Sequence, residues 1–321
     1  MRTSPLKNGW RAALMALACL GARAAADPPS QPNETDRQFK TACLAFLDGK
    51  AAGNPAAADA AAYYRAHPEA DLRVASADEM GLYFGKFSTS WDQVGGLVDS
   101  DRKILFMVEH PRFGIVLRDA SGRLLPRPEL DRSLALIAAR LVHETSHLML
   151  WDDLRRPLTG VVQNELLAHI REARYLDREL PMTADMQAAA ANYQSWKARS
   201  DPGSDGAMRA QVAADFSRYG PAMMTQIVML TAYRSGPNAF AKYVRDVYTP
   251  ESGYWSVYAD PDRPIAAIAA RVADRGMPQS YRDYLLGQKN FWADDAQVWA
   301  ARRYFDSLLP EYKTLSWPGE E

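Results

Sequence analysis

Cysteine and histidine are both scarce in this chain, which carries 2 Cys and 5 His in 321 residues. Cys19 sits in the N-terminal leader, so a product that has lost the leader keeps only Cys43 and has no intrachain disulfide. Cys43, beside Ala42, Leu44 and Phe46 and with no histidine near it in sequence, reads as core packing rather than as a nucleophile. Basic charge is not in surplus, with 38 Lys and Arg against 39 Asp and Glu. Counterion release at phosphates then has no source, and no nucleic-acid partner is expected. After the leader, no run is long and apolar enough to span a bilayer as a helix, so no transmembrane segment is expected. The remaining length suffices for one large domain or two modest ones standing on their own core.

The N-terminus carries a positive signal. Arg2, Lys7 and Arg11 precede the apolar run Ala12 to Leu20, and small residues from Ala22 to Ala26 lead into Asp27. That order is the layout of a secretory signal peptide over residues 1–26, cut after Ala24 or Ala26, and it implies an exported product, periplasmic or secreted. Lipidation at Cys19 fits poorly, because Ala16 and Leu17 are not the residues preferred ahead of such a cysteine.

Two of the five histidines stand four residues apart in His143-Glu144-Thr145-Ser146-His147. No proline interrupts the segment from Glu129 to Trp151, and Leu134, Ile137, Ala138, Leu141, Thr145 and Leu148 recur at helical steps, so the segment is expected to be a buried helix. On one helix face His143 and His147 offer two imidazole nitrogens to a single metal ion. Glu144 beside them is placed to take a proton from a water activated at the metal. The competing reading, two hydrogen-bonded histidines on a buried face, requires several further partners for two imidazoles and a carboxylate. A catalytic zinc site needs three protein ligands, and three candidates exist for the last. Asp153 lies ten residues after His143, but Leu148-Met149-Leu150-Trp151 reads as continuing helix, which would carry it away. Glu165 lies on a second helical run, Val161 to Leu176, beyond a polar connection containing Pro157 and Gly160. Glu172 is two helical turns further on.

The HExxH helix followed by a helix containing Asn164-Glu165 resembles the gluzincin clan of zinc metallopeptidases. The resemblance covers these two helices only. It implies one zinc ion held by His143, His147 and Glu165, with Glu144 as general base and a peptide or protein as substrate. It also implies a sheet whose edge strand holds an extended peptide over the metal, and a far wall that offers a donor to the oxyanion. Every histidine precedes residue 170, so that donor is expected to be a tyrosine in or beside the irregular stretch Thr249 to Pro264: Tyr254 or Tyr258, with Tyr248 adjacent. The chain departs from the clan in three places. Only 17 residues separate His147 from Glu165. His169 stands where thermolysin-like enzymes carry an aspartate oriented toward a ligand histidine, making it a candidate to support a ligand. Arg140 occupies a position where a small or apolar residue is commoner.

The rest of the chain places these motifs. Helices are expected over about Arg37 to Leu47 and Pro55 to Ala66, then strands over Leu72 to Ser76, Gly81 to Phe87, Lys103 to Glu109 and Arg112 to Arg118. His67 and His110, each followed by proline, read as turn residues. From Thr183 the chain reads as helical: Ala184 to Arg199, Ala207 to Tyr219, Ala222 to Tyr233, Asn238 to Val247, Ile265 to Asp274 and Ala296 to Leu308. The expected fold is α+β and zincin-like, with a small, mostly antiparallel sheet on the HExxH helix. Residues 27–182 form the catalytic region and residues 183–321 a helical region that walls the other side of the cleft. The function that follows is an exported zinc metallopeptidase. The competing function is a catalytically inactive zincin-like binding or assembly module of the cell envelope, which the presence of Glu144 argues against, since binding has no use for a base.

Overall fold

The computed structural model describes residues 15–17, 31–84, 94–99, 102–154, 162–198, 205–247 and 307. Among them the chain is mostly helical with a small mixed sheet, an α+β arrangement. Helices α1 (Glu34–Ala51) and α2 (Pro55–Ala66) start where local chemistry starts them. The Asn33 side chain accepts from Asp36 N at 2.9 Å while Asp36 returns a bond to Asn33 N at 3.1 Å, a reciprocal cap. Asn54 caps α2 and Pro55 fills its first turn, where an N–H has no helical partner.

The sheet is formed by β1 (Met15–Leu17), β2 (Asp71–Ala75), β3 (Val94–Asp99) and β4 (Ile104–Val108), in the order β1-β3-β4-β2. β2 and β4 run parallel, in register from Asp71 with Ile104 to Ala75 with Val108. β3 and β4 run antiparallel, Leu97 facing Phe106. Every residue of β4 is buried, as in a strand covered on both faces. β1 lies parallel to β3 but falls inside the leader expected to be removed, which makes β3 the edge strand of a chain cut after residue 24 or 26.

The sheet differs from the sequence expectation in several respects, the first being that β3 was not among the expected strands. It is mixed rather than mostly antiparallel. Gly81 to Phe84 close helix α3 (Ala77–Phe84) instead of opening a strand, and 85–87 lie outside the described residues. Ser76 Oγ accepts from Glu79 N at 3.2 Å and Glu79 accepts from Ser76 N at 2.6 Å, a capping box that commits the segment to helix. Residues 112–118 form a 3-10 turn and isolated bridges rather than a strand. Pro111 removes a donor, Gly114 turns the chain at φ +77°, and the Glu109 carboxylate takes the N–H groups of Leu117 and Arg118 at 2.9 and 2.8 Å.

The helices α4 (Glu129–Leu154), α5 (Val162–Glu179), α6 (Ala184–Lys197), α7 (Gly206–Arg234) and α8 (Pro237–Val247) complete the described fold. α7 is two arms joined at Gly220, whose φ of 75° and ψ of 159° are not helical, followed by Pro221. The expected helices at Ile265 to Asp274 and Ala296 to Leu308 lie outside the described residues, apart from residue 307. One apolar core runs unbroken from Phe39 on α1 to Val244 on α8. α4 passes through it, touching α1, α2, α5, β3 and β4, so its middle turns are enclosed by protein. Among the described residues no helix is long and apolar enough to cross a membrane.

Candidate metal centre

Enclosure of α4 is what makes its polar middle informative. His143, Glu144, Thr145, Ser146 and His147 are each at most 1% exposed. The two hydroxyls are satisfied within the helix, Thr145 Oγ1 donating to Leu141 O at 2.7 Å and Ser146 Oγ to Val142 O at 2.8 Å. The imidazoles and the carboxylate turn toward α5 and β3 instead.

The Nε2 atoms of His143 and His147 lie 3.2 Å apart. Glu165, on the first turn of α5, brings Oε2 to 3.5 Å from the first and 3.8 Å from the second. Around a tetrahedral ion with bonds near 2.0–2.1 Å, ligand atoms stand about 3.3 Å apart. The triangle therefore has the dimensions of three corners of such a site. Burial, helped by the electrostatic influence of His169 and Arg140, drives the His143 imidazole well below its ordinary value. A neutral imidazole that presents its Nδ1 to a carboxylate offers a lone pair at Nε2. The two Nε2 atoms also stand at hydrogen-bonding distance from one another, so the same atoms can share a proton or turn their lone pairs to a cation.

Glu144 adds an independent sign of fit. Both of its carboxylate oxygens are buried and make no hydrogen bond among the described residues. Burial, reinforced by the negative charges of Glu165 and Glu172, pushes its carboxyl well above the usual range, with Arg140 working the other way. A cation at the neighbouring triangle would draw it back toward the ionised form. The donor set of two imidazoles and one carboxylate suits zinc, with the Glu144 oxygens left for a water.

On the other side of His143 stands Glu172. Its Oε2 lies 3.0 Å from His143 Nδ1, at hydrogen-bonding distance though off the ideal line, and 3.0 Å from His169 Nδ1. Burial alone would raise the Glu172 carboxyl, but the Arg140 guanidinium and the two histidines outweigh it and hold it well below its usual range. It is an anion that steadies His143 from behind, two turns along α5 from Glu165. His169, whose ring centroid is 4.4 Å from that of His143, is lowered by burial as well and shares the same carboxylate. His143, His169 and Glu172 also form a group compact enough for a cation, as do His143, Glu144 and His147.

Of the residues singled out from sequence, His143, Glu144, His147, Glu165, His169 and Glu172 are thus brought together. Asp153 is not: α4 continues without a turn to Leu154, which carries the backbone at 153 about 9 Å along the axis beyond His147. Tyr248, Tyr254 and Tyr258 lie outside the described residues. His67 and His110 take no part, standing at the end of α2 and before the 3-10 turn.

Gly96 and Tyr243 went unread in the sequence, and Arg140 was noted there only as a departure from the clan pattern. Gly96 of β3 packs its Cα face against Glu144: a Cβ there would stand 2.8 Å from Glu144 Cγ. Arg140 lies against Gly95 and reaches Glu172 at 3.7 Å. Tyr243 on α8 faces His169 edge-on at 6.5 Å, its ring half-buried and its hydroxyl buried without a hydrogen bond among the described residues. The glycine pair before the apolar end of β3 was a usable signal for close strand approach. Tyr243 gave none.

Comparison with protein families, with curated proteins and with solved structures finds no match. The functional reading therefore rests on the chemistry of these side chains.

Proposed function

We propose that this chain is an exported, zinc-dependent peptidase of gluzincin type. The observation that carries the reading is the triangle of His143 Nε2, His147 Nε2 and Glu165 Oε2, with edges of 3.2, 3.5 and 3.8 Å, beside a buried Glu144 carboxylate that makes no hydrogen bond among the described residues. His143, His147 and Glu165 would hold the ion, and Glu172 would fix the His143 ring through Nδ1. Bound zinc supplies a Lewis acid for the scissile carbonyl and lowers the pKa of water at the site. Glu144 accepts the proton of the attacking water and later passes it to the leaving amine nitrogen. The enclosing core keeps other water away from that carboxylate, which keeps its basicity matched to the transfer. β3 is the strand for an extended peptide to join, because Gly96 lets its backbone lie in contact with Glu144. The leader, charged then apolar then small, supports export.

The test couples metal analysis to a broad peptide digest. Glu144→Gln is expected to keep one zinc per chain and lose hydrolysis by at least about a hundredfold; Glu165→Ala is expected to lose the zinc. Full metal in Glu165→Ala would move the third ligand to Glu172. Full zinc in the wild type with no cleavage of any peptide would favour the inactive binding or assembly module.

A further inference from the structure

Beside the candidate metal centre, between β3, α4 and the second arm of α7, lies a cavity of about 70 Å³. Its apolar wall is made by Met107, Phe113, Ile115, Leu136, Ile137 and Ala222. We infer that this cavity is the subsite for an aliphatic side chain of the substrate, on a residue next to the scissile amide. The inference rests on the peptidase reading above and adds a substrate class to it.

Two elements bring the cavity to the reacting groups. On α4, Leu136, Arg140 and His143 recur at helical steps, so the lining residues begin about 5 Å along the axis from His143 and extend to about 10 Å. On β3, Gly95 lines the cavity while the next residue, Gly96, lies against Glu144. A Cβ at Gly95 would meet the Arg140 stem, Cγ at 3.7 Å and Cδ at 3.8 Å. A peptide paired with β3 advances about 3.3 Å per residue. It therefore passes the cavity within a residue or two of passing Glu144.

The charges at the wall are met within the protein. Arg140 and Glu172 both line the cavity and face each other at 3.7 Å. Arg140 has further partners in the structure, and the other Glu172 oxygen lies 3.0 Å from Nδ1 of both His143 and His169. What Arg140 lends the cavity is its methylene stem. Gln226 donates its amide to Leu136 O at 3.1 Å, and His110 and Thr225 are the other polar neighbours. A charged side chain entering here would leave water for a wall whose own charges are already engaged, which is costly. An aliphatic one gains by leaving water. An apolar cavity of about 150 Å³ takes benzene; at about half that volume, Val, Leu or Ile suits this one better than an aromatic ring.

The experiment gives the zinc-loaded chain a peptide library and reads the cut sites by mass spectrometry. Val, Leu or Ile is expected at one position beside the cut, and a matched peptide with Asn there is expected to lose about tenfold or more in kcat/KM. Ala222→Leu, which fills the cavity from α7, is expected to shrink that Leu-to-Asn ratio severalfold with zinc content unchanged. Should Ala222→Leu fail to fold, Thr225→Met fills the same wall with a more adaptable side chain and is expected to shrink the ratio likewise. Cleavage without an aliphatic preference on either side of the cut, or a preference that the filled variants leave intact, overturns the subsite. Failure of the zinc-loaded wild type to cut any peptide overturns the peptidase reading instead. In that case calorimetry on the zinc-loaded wild type decides the subsite: tighter binding of the Leu than of the Asn peptide, lost in Ala222→Leu, upholds it, and equal or absent binding overturns it.

Discussion

On the proposed peptidase reading, two requirements meet at Glu144. The carboxylate would have to be close enough to water at the metal to take its proton, and dry enough to want it. α4 provides dryness and β3 sets the distance, through the absence of a single atom. At Gly96 an added Cβ would stand 2.8 Å from Glu144 Cγ and 3.1 Å from Cδ and Oε1, closer than unbonded carbons settle. Gly96→Ala is therefore expected to push the base or the strand aside by a few tenths of an ångström or more. Displacement of that order at a catalytic group costs about ten- to a hundredfold in kcat/KM. Zinc content should hold, because the triangle of ligand atoms lies on α4 and α5. Steady-state kinetics beside metal analysis separate the two, and an unchanged kcat/KM would mean that the Glu144 side chain yields without losing its place. His143, Glu144 and His147 were legible in the sequence because helix period alone puts them together. Gly96 was not, because its partner is far along the chain and a glycine carries no chemical label for the contact it permits.

The same divide holds for whole elements. α1, α2, α4, α5 and both arms of α7 could be read from apolar period, caps and breakers, since what makes them helical lies within a few residues. β3 was missed because Val94-Gly95-Gly96-Leu97 has little strand propensity of its own, and it is held by pairing with β4 and by α4. Gly81 to Phe84 and residues 112–118 were misread as strands for a shared reason: carboxylates outside each segment decide their shape. Glu79 caps α3, Glu109 takes two backbone N–H groups, and Arg118 ties both carboxylates together. That tie has a pH signature. Burial raises the Glu79 carboxyl, but Arg118 and the Ser76 N–H outweigh it and hold it below its ordinary 4.5. A carboxyl lowered by folding adds stability that is fully present above the unfolded value and is lost as pH falls through the folded one. Glu79→Gln should therefore lower the thermal midpoint at pH 7 by about 2 °C, the side chain being partly exposed. The gap from wild type should close as pH drops below 4.5 toward 3. A gap that stays constant over this range would place the Glu79 contribution in its uncharged contacts.

For the molecule as a whole, the candidate metal centre is an interior feature of the one core that runs from α1 to α8. His143, Glu144, His147, Glu165, His169 and Glu172 are all buried, so folding without an ion brings several polar groups out of water into one small volume. An ion that binds the folded chain and not the unfolded one recovers that cost by mass action. Zinc at a thousandfold excess over its dissociation constant adds about 4 kcal/mol. For a chain of this size that corresponds to a rise in thermal midpoint on the order of 10 °C. Chelation of the wild type is expected to lower the midpoint by that amount, and added zinc to restore it. Glu165→Ala should melt near the chelated value and respond to neither treatment, because two imidazoles alone hold zinc too weakly. Glu144→Gln should keep the full zinc response, since its carboxylate is assigned to the proton and not to the ion. Scanning calorimetry on the three proteins, with and without chelator, makes the distinction. A wild-type midpoint that ignores both chelator and zinc would remove the ion from the fold and leave Glu144 to be explained as a neutral, buried carboxylic acid.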